Sequence, residues 1–239
     1  MSERFFLAAA PRDGHAILAG DEARHLARVL RAKVGDEVRL FDGSGAEWPA
    51  RVARIGRDEV LLDVATALPH IGSAGSTLTL AVALPKGDRQ KWMVEKLTEL
   101  GVARLVPLVT ARGVAEATDS ARARLERGVI EACKQCGRNT LMEIGAAATL
   151  ESLATPLPPG TLRLIAHPGG MPLDAASVPP QDAVVAVVGP EGGFALEEIA
   201  VAERHGFKPV SLGPHILRIE TAALALAARF VSTDHRSHR

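Results

Sequence analysis

From Leu78 onward the chain alternates apolar runs with amphipathic helical stretches, and this rhythm constrains the fold more than any other feature. Leu78 to Leu84, Arg104 to Val109, Thr161 to Ala166, Ala183 to Val188 and Pro209 to Leu212 read as strands. Asp88 to Leu100 reads as a helix, with Met93, Leu97 and Leu100 on one face and Gly101 at its C-cap. A second helix starts at Asp119 or Ser120, carries Leu125, Val129, Ala132, Cys133 and Cys136 on its apolar face, and ends at Gly137. Ala195 to His205 and the Ala-rich Glu220 to Phe230 complete the set, the last apolar nearly all round and therefore expected to be buried. Strands this apolar are covered on both faces. The expected architecture is α/β, a doubly wound parallel sheet with helices on each side.

The first seventy residues keep a different rhythm. Asp36 to Phe41 and Trp48 to Ile55 alternate apolar and polar residues around Asp42-Gly43-Ser44-Gly45, and Glu59 to Val64 follows. A glycine-rich turn after a strand also opens common cofactor folds, but here a strand follows it rather than a helix, so it reads as a hairpin. Short strands joined by tight turns predict a small β-barrel. Asp21 to Arg31 reads as one short helix, with Asp21 as N-cap and Leu26, Val29 and Leu30 inward. Pro69 to Ser76 is a linker by composition and divides the chain into domains 1–72 and 73–239. The tail from Ser232 is expected to be loose.

With 47% hydrophobic and 23% charged residues the chain can bury a sizeable core, which excludes a disordered or fibrous protein. Lys plus Arg and Asp plus Glu number 28 each, so bulk charge holds it to neither nucleic acid nor membrane. Local patches remain open to RNA: Arg24, His25, Arg28, Arg31 and Lys33 in the first domain, and Arg112, Arg122, Arg124, Arg127, Lys134 and Arg138 in the second. Aromatics are 3% with no Tyr, which argues against RNA modules that stack bases on aromatic rows. Arg outnumbers Lys 22 to 6, favouring bidentate recognition of phosphate or carboxylate.

Cys133 and Cys136 have CxxC spacing, but one such pair is only half a zinc site, and they lie toward a helix C-terminus, where the dipole disfavours thiolate. They read as core packing, and no metal is expected. No run of eighteen apolar residues occurs, and Phe5 to Ala10 is too short for a signal peptide, so the expected address is the cytoplasm, away from membranes.

Candidate chemistry lies in two loops that follow strands. Gly189-Pro190-Glu191-Gly192-Gly193 separates an apolar strand from a helix, and its glycines let backbone amides approach a ligand. A tight structural turn explains the shape equally well, but Glu191 in so constrained a turn favours a polar or cationic ligand. Leu212-Gly213-Pro214-His215-Ile216-Leu217-Arg218 enters the last helix at Glu220-Thr221-Ala222. There Arg218 either pairs with Glu220 or faces a substrate.

Five blocks together resemble one family: His25 to Arg31 with Gly35-Asp36 and Asp42 to Gly45; Lys96 to Val102 with Pro107-Leu108 and Arg112; Glu131-Ala132 with Gln135-Cys136-Gly137-Arg138; Gly189 to Phe194; and Leu212-Gly213 with Ile216 to Ala222. Over almost its whole length the chain resembles the bacterial 16S ribosomal RNA uridine N3-methyltransferases of the knotted SPOUT class. The resemblance implies a PUA-like N-terminal barrel and a SPOUT domain whose C-terminal segment threads a trefoil knot. It also implies a homodimer with S-adenosyl-L-methionine as cofactor and 16S rRNA in the small ribosomal subunit as partner. It places the cofactor against His167, Gly189, Pro190, Glu191, Gly192, Leu212, Gly213, Ile216, Leu217, Arg218, Thr221 and Ala222, with Glu191 able to balance the sulfonium charge. Arg138, Arg112 and Arg218 take the catalytic positions, and Arg24, Arg28 and Arg31 dock RNA. Cys136 stands where the family usually has Ser, Ile219 where Thr is common, and Leu141-Met142 where Pro often follows the Arg. Two alternatives stay open at the level of sequence: a related transfer RNA ribose 2′-O-methyltransferase, and a non-catalytic ribosome assembly factor.

Overall fold

The computed structural model describes residues 3–69, 78–113, 118–173 and 183–231, so most of the linker and the tail from Ser232 lie outside the described residues. The chain divides into two units, Met1–Gly72 with Cys133–Leu141, and Ser73–Ala132 with Met142–Arg239.

The first unit is built on β1 (Arg4–Phe6), β2 (His15–Ala19), β3 (Glu37–Phe41), β4 (Glu47–Ile55) and β5 (Glu59–Val64), with α1 (Gly20–Arg24) following β2. The strand order is β1-β3-β4-β5-β2, with β1 parallel to β3 and the other pairs antiparallel. The edge strands β1 and β2 do not pair with each other among the described residues, so the expected barrel is a half-barrel. The alternation works as read: Val38, Leu40, Val52, Val60 and Leu62 point inward onto Phe5, Leu18 and Leu26. At the hairpin, the Ser44 amide donates to Asp42 Oδ1 at 2.9 Å, an Asx turn that leaves Gly43 at φ 85°.

The helix after β2 departs from expectation. Its N-cap is Ala19 in an extended conformation, and Asp21 already lies in the first turn, where it pairs with Arg24. Beyond Arg24 the helix widens to a π turn over His25–Val29. The Leu30 amide reaches back to the His25 carbonyl at 3.0 Å, and the apolar phase slips. Leu26 stays buried, but Val29 and Leu30 are exposed. A period of 3.6 cannot anticipate a wider turn.

The second unit carries β6 (Leu78–Val82), α2 (Asp88–Leu100), β7 (Arg104–Pro107), α3 (Asp119–Cys136), β8 (Glu143–Ile144), α4 (Leu150–Ala154), β9 (Leu162–Pro172), β10 (Val184–Val188), α5 (Leu196–Arg204), β11 (Lys208–Ser211) and α6 (Ile219–Val231). The short β8 and α4 carry too few residues for a periodic signal, and the last residues of α3 group with the first unit. The six strands run in the order β11-β9-β10-β6-β7-β8, every pair parallel. All five residues of β10 are buried because it lies between β9 and β6 with both faces covered, as an unbroken apolar run requires. Helix α2 ends where predicted: Gly101 at φ 91° closes a Schellman turn, its amide meeting Thr98 and that of Val102 meeting Leu97. Met93 and Leu97 are fully buried, each contributing about 2–3 kcal/mol. Helix α6 packs on α2, β6 and β10 through Ala222, Ala223, Leu226 and Ala227, while Ala228 is exposed and Leu224 and Ala225 are half-buried. It is therefore not buried all round.

Helix α3 is capped by the Thr118 hydroxyl, which accepts from the Ala121 amide at 3.2 Å. Ala121, Leu125, Val129, Ala132 and Cys133 face inward, but Cys136 is exposed, one turn too late for the apolar face. Within the first unit, Lys134 pairs with Glu22 at 2.9 Å and lies over the Phe5 ring, and Asn139 accepts from Arg4. Burial pushes the Cys133 thiol up to about 11, from an ordinary value of 9.0. A neutral thiol reagent is therefore expected to label Cys136 alone in the folded protein, and Cys133 only after denaturation. This thiol leaves stability undiminished below pH 9.0 and lowers it as pH rises towards 11, because the unfolded chain loses that proton first. Equal labelling of both thiols in the native state contradicts the assignment.

Candidate active site

The second sheet brings three segments together at the carboxyl ends of β9, β10 and β11. Strand β9 is interrupted: Ile165 pairs with Pro209, yet the next residue of β11, Val210, pairs with Met171. Residues 166–170 therefore bulge out of the pairing with β11 within the strand, while Leu162–Ile165 pair with β10 and Leu164–Ile165 with β11. At the end of this bulge Gly170 abuts the β11 backbone, where a Cβ would stand 2.5 Å from the Pro209 carbonyl carbon and the Val210 nitrogen. Only glycine fits there. Beyond β10, the Gly193 amide meets the Pro190 carbonyl at 2.9 Å with Gly193 at φ 70°, and the Phe194 ring covers Gly189 so closely that a Cβ would lie 2.7 Å from it. Beyond β11, the Ser211 hydroxyl donates to the Gly213 carbonyl at 3.1 Å.

These segments enclose a cavity of about 410 Å³, lined by residues 166–168, 188–194, 210–213 and 215–217 with Ile219 and Ala222. That volume suits a single small ligand, and the lining is mainly apolar and glycine with a few polar groups. His167, Gly189, Pro190, Glu191, Gly192, Leu212, Gly213, Ile216, Leu217 and Ala222 all face it. Arg218 and Thr221 do not. They line an adjoining hollow with Asp88, Arg89, Trp92 and Glu220, and Ile216 and Leu217 are common to both. Ile219 is 3% exposed and presents a hydrocarbon to the cavity where a hydroxyl is common in the resembling family.

The polar groups are held by specific contacts. The Gly169 amide donates to His167 Nδ1 at 3.1 Å, so the neutral ring carries its proton on Nε2. Replacing His167 with Phe removes that donor, and a roughly five- to tenfold loss of ligand affinity is expected by titration calorimetry. An unchanged affinity would show that Nε2 contacts nothing. Arg112 donates to the Gly192 carbonyl at 2.7 Å, and Glu198 accepts from the amides of Ala111 and Ala195 at 2.9 and 2.8 Å, bracing the same loop. Glu191 faces Arg89 Nη1 at 3.3 Å, so the carboxylate expected opposite a sulfonium already meets a guanidinium.

Glu220 is not paired with Arg218. It is buried, and its ion partner is Arg89 at 3.9 Å, whereas Arg218 is exposed and forms no ion pair among the described residues. Residues two apart at a helix start point to different sides, which the linear sequence could not decide. Arg89 escaped sequence analysis, although Gly87-Asp88-Arg89 follows an apolar strand as the two glycine loops do.

The second basic cluster is largely committed internally. Arg122 pairs with Glu126 at 2.9 Å, Arg124 donates to Gln90 at 2.8 Å, and Lys134 and Arg112 have the partners given above. Arg138 lies in the Cys133–Leu141 segment of the first unit, where burial lowers the pKa of its guanidinium. In the N-terminal cluster Arg24 pairs with Asp21, while Arg28 and Arg31 are exposed. Among the described residues no three His, Cys, Asp or Glu side chains cluster as metal ligands, and no helix is long and apolar enough to cross a membrane.

A parallel sheet with a ligand-sized cavity at its strand ends, in a chain that also carries a half-barrel unit, defines a class. The RNA methyltransferase domain family matches residues 73–231, and the RNA methyltransferase PUA domain family matches residues 18–65. A ribosomal RNA small subunit methyltransferase E of Synechocystis is 34% identical over 86% of this chain and 69% of its own length. A Legionella pneumophila structure in complex with bound SAM is 31% identical with a TM-score of 0.88, over 97% of this chain and 98% of that one. A ribosomal RNA small subunit methyltransferase E from Neisseria gonorrhoeae, bound to S-adenosyl methionine, is 30% identical with a TM-score of 0.87, over 95% and 96%. The chain belongs to the ribosomal RNA small subunit methyltransferase E family.

Proposed function

We propose that the protein methylates N3 of a specific uridine in 16S rRNA of the small ribosomal subunit, with S-adenosyl-L-methionine bound in the cavity at the ends of β9, β10 and β11. The observation that carries the reading is the cavity itself. Its size, its glycine-lined walls and the imidazole of His167 suit a nucleoside joined to an amino acid, and relatives of the same fold are bound to that molecule. Gly189 and Gly170 keep the cradle open, since a Cβ at either would strike a wall residue or force the strands apart. The cofactor supplies an electrophilic methyl carbon on a sulfonium.

Uridine N3 is a weakly acidic imide nitrogen and a poor nucleophile until it loses its proton. The chain must therefore favour the uracil anion and align it, which suits guanidinium groups on the uracil oxygens or an adjacent phosphate. Arg138, Arg112 and Arg218 are assigned this work. Arg112 already has one N–H on the Gly192 carbonyl and can offer the rest of its fork. The half-barrel docks neighbouring RNA, with Arg28 and Arg31 available in solvent and Arg24 sharing its charge with Asp21.

The working form is a homodimer, supported by apolar side chains left in solvent: Trp92 on α2 is exposed, and Leu224 and Ala225 on α6 are only half-buried. A trefoil knot is supported by the strand order: β11 lies outside β9, yet the chain then returns as α6 to pack on β6 and β10.

The test is to incubate the protein with labelled cofactor and small subunits from a strain lacking it, then map the methyl group. Methyl on uridine N3 supports the reading; methyl on a ribose, or on transfer RNA, replaces it. Binding without turnover points to an assembly role. Arg28→Glu with Arg31→Glu is expected to weaken subunit binding about tenfold or more, steeply dependent on salt, with cofactor affinity unchanged. Loss of both would mean that the half-barrel has unfolded.

A further inference from the structure

Arg89 belongs to no glycine loop, yet it touches carboxylates from both. It lies in the first turn of α2, after the loop that follows β6, where Gly87 at φ 65° turns the chain into the helix. Its Nη1 is 3.3 Å from Glu191 Oε1, in the loop after β10, and 3.9 Å from Glu220 Oε2, on the first turn of α6 after the β11 loop.

The two carboxylates differ in environment. Glu191 is half exposed, and its neighbours Pro190 and Gly192 line the cavity. The Glu220 side chain is 8% exposed, and its Oε2 accepts no hydrogen bond among the described residues. A buried carboxylate oxygen without a donor is costly, so the adjacent guanidinium does most to make that position tolerable. Ile219 and Ala222, on the same turn as Glu220, form part of the cavity wall. Moving Glu220 moves that wall.

One planar cation thus ties the start of α2 to the loop after β10 and to the start of α6, and both of those segments contribute to the cavity wall. We propose that Arg89 is a positioning residue that holds the two glycine loops in the arrangement that accepts the cofactor, an inference that rests on the cofactor reading above. Arg89 lies outside the cavity lining and acts through Glu191 and Glu220. Without it, the loops carry two nearby negative charges with no shared cation. The cavity is then assembled in only a fraction of molecules, and apparent affinity falls by that fraction.

Titration calorimetry with S-adenosylhomocysteine on the full chain tests this. Arg89→Met, which keeps the apolar stem, is expected to bind about tenfold more weakly than wild type, while Arg89→Lys recovers part of the loss as a point charge. Glu191→Gln weakens binding less, and adding it to Arg89→Met costs little more, because both changes break one contact. Affinity of Arg89→Met within twofold of wild type overturns the proposal. So do fully additive losses in the double variant, or a Lys variant no better than Met when both melt at the wild-type temperature. If Arg89→Met fails to fold, the comparison of Lys with wild type and of Glu191→Gln in each background decides the same question. Wild-type protein that does not bind the ligand at all removes the cofactor reading, and this inference with it.

Discussion

Gly170→Ala is expected to produce the largest structural loss of any glycine-to-alanine change among the described residues. The new Cβ would lie 2.5 Å from the Pro209 carbonyl carbon and the Val210 nitrogen, both backbone atoms that no rotamer change can move. Strands β9 and β11 would have to separate where the register jumps from Ile165 to Met171. Overpacking of this kind costs about 1–3 kcal/mol, or roughly 3–10 °C in melting temperature for a chain of this size. The same junction sets the spacing between residues 166–168 and 210–213 on opposite cavity walls, so cofactor affinity should fall by more than about tenfold. Gly169→Ala is the control for melting, because its Cβ would meet only the His167 ring, at 3.3 Å, and no backbone atom. A Gly170→Ala protein with wild-type melting and affinity would show that the bulge does not depend on this contact.

Arg138→Ala is expected to lower single-turnover methylation of small subunits by about 100-fold or more while cofactor affinity stays unchanged. Burial draws the Arg138 pKa down, yet an arginine keeps its charge at neutral pH. A partly desolvated guanidinium is worth more to a developing anion than one in water, because the surroundings screen it less. Lysine at this position should restore only part of the rate, lacking the planar fork. Single-turnover rates on subunits lacking the methyl group provide the measurement. A rate within threefold of wild type ends the assignment.

Much of this was legible in one dimension. The two glycine loops, the capping Gly101 and the strands β3, β4, β5, β6 and β10 follow from periodicity and turn chemistry, which are local properties. Most residues assigned to the cofactor do line one cavity, because loops that follow parallel strands all emerge at the same sheet edge. The misses have local causes too. Val29 and Leu30 face solvent because a π turn shifts the helical phase, and Cys136 lies beyond the reach of its helix's apolar face.

What the sequence by itself determined is the kind of element each segment forms and the edge of the sheet at which ligands can gather. Only the tertiary structure decided which side chains meet there. Arg89 reaches Glu191 across 102 positions of chain, Arg112 reaches Gly192 across 80, and Glu220 turns from its near neighbour Arg218 to Arg89. The reason is physical. Periodicity reports the environment a residue needs, buried or exposed, extended or helical, whereas the partner of a charge depends on which strand ends the sheet order makes adjacent. Strand order is set by packing over the whole domain, and no local pattern carries it.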